Sequence, residues 1–268
     1  MSNRDPSGSS KAVALLRPAV LVAMLGFAWV FLRAQPAQDS ARLRANLPTL
    51  GAHTLLGQED DNAVSPAMTS AITTQESGSS FLIFSAGYAS NNDPPRDSKS
   101  NTWKQLGDAA VYRGYDNQFD VKAYLALDGK GGSNHVVTID KPGTAIGELT
   151  LPFIEIRNAD VLKDVAMNYP AAGSALTSGT VTTTGPATLV AVWWGDAPSK
   201  DNSADPGDGF KVVERFTKLP PDSAVQCVVA YKDVDGAGTY QVTWRNSPVQ
   251  GAPLWLLAFQ SSGAAPGR

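Results

Sequence analysis

Two histidines, one cysteine and a charged fraction of only 18% leave this 268-residue chain short of the residues on which most catalytic and metal chemistry rests. Cys227 has no partner for an intramolecular disulfide. Set in the apolar run VQCVVAY, it reads as a small buried hydrophobe, because a reactive thiol needs a histidine or a cationic setting beside it. Basic clusters are also missing. A formal net charge of -3 with scattered arginines gives no electrostatic footprint for nucleic acid, and that function is excluded. Helical patterns of ten to fifteen residues do not recur between the apolar segments, which argues against a parallel α/β sheet. No internal repeat of convincing period is visible.

What the chain does have is turn chemistry. Gly, Ser, Thr, Asn and Pro punctuate a series of short apolar segments, the composition of many strands joined by turns. Strands are expected at SFLIFSAGY (80–88), NTWKQLG (101–107), FDVKAYLAL (119–127), NHVVTID (134–140) and GELTLPFIEIR (147–157). Further ones follow at SGTVTTT (178–184), TLVAVWWGD (188–196), FKVVERF (210–216), VQCVVAYKDV (225–234), TYQVTWR (239–245) and PLWLLAFQ (253–260). In FDVKAYLAL, Phe119, Val121, Ala123, Leu125 and Leu127 point one way, and Asp120, Lys122 and Tyr124 the other. TLVAVWWGD is apolar at nearly every position, as a central strand covered on both faces would be. The segment 158–168 reads as a short helix or a loop. The fold class expected is all-β, an antiparallel β-sandwich of jelly-roll type over residues 79–260.

Ahead of it the expected order is a disordered cytoplasmic tail (1–10), a membrane segment (11–33) and a stalk (34–78); residues 261–268 form a frayed tail. The run Ala19–Leu32 is uninterrupted by charge and would span about 21 Å as a helix, so reaching across a bilayer requires counting back to Ala12, past Arg17 and Pro18. The segment is an uncleaved anchor or a signal peptide. Either places the rest of the chain outside the cytoplasm, as a single-pass membrane protein or a secreted or periplasmic one. The stalk is inferred from recurrent prolines and polar residues, and its His53 reads as a solvated side chain.

Taken together, an NxW strand (Asn101 to Trp103), a GxxH followed by VVTI (Gly132 to Ile139), FIEIR, TVTTTGPATLVAVWWGD and AGTYQVTW resemble bacterial and phage-tail-associated β-sandwich domains of uncharacterised function. The resemblance covers roughly residues 80–260 and implies a jelly-roll-like extracellular module for display or recognition. It brings no catalytic residues.

Four groups are candidates for chemistry. His135 could act as a general base, but no nucleophile elbow accompanies it; the alternative is a strand-end ring bonded to a loop carbonyl. Glu155 shares a strand face with Arg157 and reads as half of a structural pair, since no second acid completes a glycosidase set. Asp201, Asp205 and Asp208 in KDNSADPGDG, with Asp233 and Asp235 in KDVDGAG, supply hard oxygen ligands of the kind calcium takes, without the twelve-residue loop spacing. Trp103, Tyr112 and Tyr115 lie in or beside loops, where flat rings can stack on a sugar, whereas Trp193, Trp244 and Trp255 read as core. No catalytic residue and no cofactor beyond possible calcium is assigned. The functional expectation is a surface recognition or adhesion module for a glycan or protein ligand, tied to the membrane through residues 11–33. A polysaccharide-active enzyme and a structural module of a surface assembly are the alternatives, and the oligomeric state is left open.

Overall fold

In a computed structural model the described residues are 47–58, 64–88, 93–113, 115–141, 147–195, 203–216, 226–247 and 251–263. They all belong to the compact unit Asn46–Arg268. The expected tail and membrane segment, 1–33, lie outside them. Among the described residues no helix is long and apolar enough to cross a membrane.

The first part of the unit holds nine strands: β1 (Thr49–Gln58), β2 (Ala67–Met68), β3 (Ser79–Tyr88), β4 (Arg96–Asp97), β5 (Lys104–Gln105), β6 (Ala110–Val111), β7 (Phe119–Gly129), β8 (Val137–Ile139) and β9 (Leu149–Arg157). The second holds ten: β10 (Val161–Asn168), β11 (Leu176–Thr177), β12 (Val181–Thr183), β13 (Ala187–Trp194), β14 (Asp205–Pro206), β15 (Lys211–Phe216), β16 (Cys227–Val234), β17 (Gly238–Tyr240), β18 (Thr243–Arg245) and β19 (Leu254–Gln260). All pairings are antiparallel, as expected for an all-β sandwich.

Two boundaries differ from expectation. β1, placed in the stalk by its polar and small residues, lies in register along β9, and β2 also falls within the supposed stalk. The sandwich therefore begins some thirty residues before Ser79. An edge strand buries only part of its side chains, so β1 shows no sustained apolar period. Residues 161–168, expected as helix or loop, form β10, another edge strand.

The two parts repeat one topology. The first large sheet runs β1-β9-β3-β7-β5, with β6 also on β7; the second runs β10-β19-β13-β16-β15. In each, the first strand lies beside the last, then come the second long strand and the third, and a short preceding strand closes the row. The small sheets repeat as well, β2-β8-β4 against β11-β18-β14. The likeness reaches single atoms. Thr69 N donates to Val137 O at 3.0 Å while Val137 N donates to Thr69 Oγ1 at 3.0 Å. In the second part Ser178 N donates to Val242 O at 2.9 Å and Val242 N to Ser178 Oγ at 3.0 Å. β1 and β10 even share a bulge, between Leu50 and His53 and between Leu162 and Asp164. A repeat that the sequence does not show is thus present in the fold.

Both faces of each large sheet are buried, which is why β3, β13 and β19 are apolar almost throughout. One face of each meets the other sheet in a shared core of Leu82, Phe84, Val121, Ile154, Val190, Trp194, Leu257 and Phe259. Phe84 meets Trp255 edge-on at 5.6 Å, a geometry worth about 1 kcal/mol beyond its burial. The opposite faces pack under the small sheets: Phe81, Ile83, Leu149 and Phe153 in the first part, Leu189, Trp193 and Leu254, beneath Trp244 of β18, in the second. TLVAVWWGD is central as expected, β13 lying between β19 and β16.

Candidate functional site

The residues with chemical potential fall into one sealed hub, one buried clamp and one open seam. In the hub, the NxW and GxxH segments converge on Asp97. Its Oδ1 accepts Lys99 N (2.9 Å) and Asn101 N (3.0 Å), and its Oδ2 accepts Asn101 Nδ2 (2.9 Å) and Trp103 Nε1 (3.1 Å). His135 Nε2 lies 3.4 Å from Oδ2, close enough for an ion pair though outside good hydrogen-bond alignment, and Nδ1 is 3.0 Å from Thr74 Oγ1. Burial pushes the Asp97 carboxyl up, but His135, Asn101 and the two backbone amides outweigh it and hold it at about 2. The ring bonds the Thr74 hydroxyl and not the loop carbonyl expected of it, and it is wedged edge-on between Phe81 and Phe153. Hydroxyl, imidazole and carboxylate stand in the order a hydrolase would use. Yet the His135 and Asp97 side chains are 0% exposed, and Gly132 N already donates to the threonine oxygen at 3.1 Å. The array fastens the small sheet β2-β8-β4 onto its large one.

Glu155 forms the clamp. Fully buried, it accepts Ala52 N (2.9 Å), Gln75 N (2.7 Å) and Ser79 Oγ (2.8 Å), with Arg157 Nε at 3.3 Å. The expected pairing with Arg157 is present, but the carboxylate chiefly fills the bulge of β1.

The expected calcium ligands are not brought together. Asp201 lies outside the described residues. Asp205 holds Ser203 and Arg215; the serine, more than the arginine, lowers its carboxyl below the ordinary range against a smaller opposing effect of burial. Asp208 accepts Thr243 N at 2.9 Å, and its carbonyl accepts Lys232 Nζ at 2.7 Å. Asp233 accepts Thr188 Oγ1 at 2.7 Å from β13, and Asp235 is exposed in the turn after β16. On β16, Lys232 and Asp233 point to opposite faces, which separates Asp233 from Asp208. Among the described residues no three His, Cys, Asp or Glu side chains gather in a metal-holding group.

Of the expected aromatic ligands, Trp103 is half-buried against Phe153 with its N–H spent on Asp97. Tyr112 is fully buried, edge-on to Trp194 at 5.4 Å, so it is core rather than surface. The side chain of Tyr115 lies outside the described residues. Tyr112 nevertheless marks the open place, because Tyr169, just past β10, tilts against it at 6.1 Å. Arg113 lies over the Tyr169 ring at 4.7 Å and donates its backbone N–H to Tyr169 Oη at 3.3 Å. Burial raises the Tyr169 phenol, with Arg113 partly opposing it. Sequence reading missed this pair; an Arg–Tyr contact across 56 residues leaves no local signal.

The stacked sheets have two lateral seams. At one, β1 faces β15: His53 Nδ1 lies 2.6 Å from Glu214 Oε1, so His53 is no solvated stalk residue, and Gly57 passes so close under Phe216 that a Cβ would sit 2.2 Å from its ring. At the other, β10 faces the broken edge of β5 and β6. By register, His53, Leu55 and Gly57 correspond to Val165, Met167 and Tyr169. Val165 is 40% exposed and Met167 43%, while Leu127 on the facing sheet is 47% exposed. The same positions that close one seam leave the other open.

Comparison with protein-family models, with curated proteins and with solved structures gives no match.

Proposed function

We propose that this chain is an exported, membrane-tethered recognition module built from two stacked jelly rolls, and that it contacts its ligand along the open seam between β10 and β5–β6. The jelly-roll reading rests on the strand order. Numbering the strands of the first part from β1 and leaving out β6, the two sheets run 1-8-3-6-5 and 2-7-4, and the second part follows the same plan when β12 and β17, which pair with each other, are left out. Tethering rests on the apolar segment 11–33. One observation carries the recognition reading. Both faces of each large sheet are covered, and of the two lateral edges one displays Val165 and Met167 where the matching positions of the other are closed. The hydroxyl, imidazole and carboxylate groups that would favour the enzyme alternative are instead sealed in the Asp97 hub.

The test uses the full-length chain in detergent against defined cell-surface glycans and purified envelope proteins. A ligand of the folded state at a hundred times its Kd adds roughly 2.7 kcal/mol to stability, a clear rise in melting temperature. The reading expects at least one such ligand, with retention lowered tenfold or more by Tyr169→Ala. Retention indifferent to that change, or steady release of reducing ends from a glycan, contradicts it.

A further inference from the structure

We infer that the free edge of β10 takes up an extended protein segment in which apolar and acidic residues alternate, as an added strand of the second large sheet. The inference rests on the recognition reading above and names its partner.

Three independent features meet along this edge. The first is main chain. β10 ends its sheet, pairing with β19 on one side and with no described strand on the other. Val165 N–H donates to the neighbouring Asp164 carboxylate at 2.9 Å, a bond that an added strand displaces to complete its ladder. The second is the apolar stripe: Val165 and Met167 stand on the face that continues the shared core, with Leu162 and Leu106 half-buried behind them. Side chains two apart on an incoming strand would land on this stripe. The third is charge. Lys163 is exposed on β10, Lys104 is exposed on β5 opposite Leu125, and Arg113 closes the upper end over Tyr169. Asp164, the nearest acid on β10, has Oδ2 on Thr182 N and Oγ1, and Oδ1 on Val165 N. An incoming strand thus meets an apolar floor and a rim where three cations outnumber Asp108, exposed between β5 and β6, which favours acidic residues at the alternate positions.

The same charges argue against a second copy as occupant. Antiparallel self-pairing about Val165 would bring two sets of Lys163, Lys104 and Arg113 to one seam, and an edge lysine is a device by which sheets avoid pairing with themselves.

The probe is a fluorescein-labelled, end-capped octapeptide of alternating valine and glutamate, titrated into the full-length chain by anisotropy. Expected is saturable binding that weakens at least tenfold between 0.05 and 0.5 M salt, with Met167→Glu, and with a peptide N-methylated at alternate residues, which cannot form the ladder. The N-methyl arm uses the unaltered protein and so stands even where a variant fails to fold. Equal binding of a valine–lysine peptide, indifference to N-methylation, or concentration-dependent dimers in sedimentation that Val165→Glu dissolves would overturn it. Binding of the peptide with no ligand found among envelope molecules overturns the surface role and leaves the strand-addition site standing. The reverse result overturns the site alone.

Discussion

The two halves of the sandwich reach one topology with opposite interiors. Residues 49–157 hold their small sheet with buried polar groups: Asp97 and His135 at one side, Glu155 at another. Residues 161–260 use indoles. Trp193 and Trp244 fill the equivalent layer, with Trp193 Nε1 donating to Ser247 Oγ at 3.1 Å, and the position matching Glu155 is Ala258. The shared features are apolar faces, a bulged first strand and one pair of reciprocal hydrogen bonds under each small sheet. The topology therefore depends on which faces are covered, and the chemistry that covers them is interchangeable.

That comparison can be broken from either side. The largest effect is expected in the layer common to both halves. Trp194 is fully buried and its Nε1 donates to Thr150 of the other half at 3.1 Å, so Trp194→Ala should cost about 4 kcal/mol and split a single calorimetric transition into two. Glu155→Ala would strand the amides of Ala52 and Gln75 and should cost about 3 kcal/mol by denaturant unfolding. Ala258→Ser, at the equivalent place, should stay within about 1 kcal/mol.

Asp97 gives the first half a pH dependence that the indoles do not give the second. Its carboxyl titrates at about 2 in the fold, below the ordinary 3.8. The carboxylate's contribution of about 2 kcal/mol is full above roughly pH 4 and is lost as pH falls through 2. Asp97→Asn should flatten that acid limb in urea titrations between pH 5 and 2. Thr69→Ala and Ser178→Ala sharpen the comparison, since each removes one of the matched hydroxyl acceptors; about 1 kcal/mol is expected for both, with the two values within error. The smallest effect belongs to the closed seam, where His53 and Glu214 are 29% and 23% exposed; His53→Ala should cost about 0.5 kcal/mol and less in high salt.

The central strands were legible in the sequence because burial on both faces writes an uninterrupted apolar run. Alternation in FDVKAYLAL put Phe119, Val121, Ala123 and Leu125 on one face, which is the shared core, and Tyr124 on the other, as the structure has them; Leu127, read with the first set, is 47% exposed where the register against β3 slips. The repeat was illegible: setting Phe81–Gly87 on Leu189–Gly195 by register keeps the faces but leaves only the glycine identical. Edge strands β1 and β10 were lost for the opposite reason, half-burial leaving too few apolar positions to show a period. The site fared worst. Tyr112 reads as a loop aromatic and is core, while Tyr169 and Arg113, which continue it toward the surface, meet only through tertiary folding.

Native-state hydrogen exchange at the centres of β3 and β13 is the most direct test of the claim that two copies of one module share a core. The account predicts that the amides of Ile83 and Ala191 exchange through the same global unfolding, with equal free energies in the unaltered chain. Exchange of one at a free energy several kcal/mol below the other would show two domains in contact and contradict it.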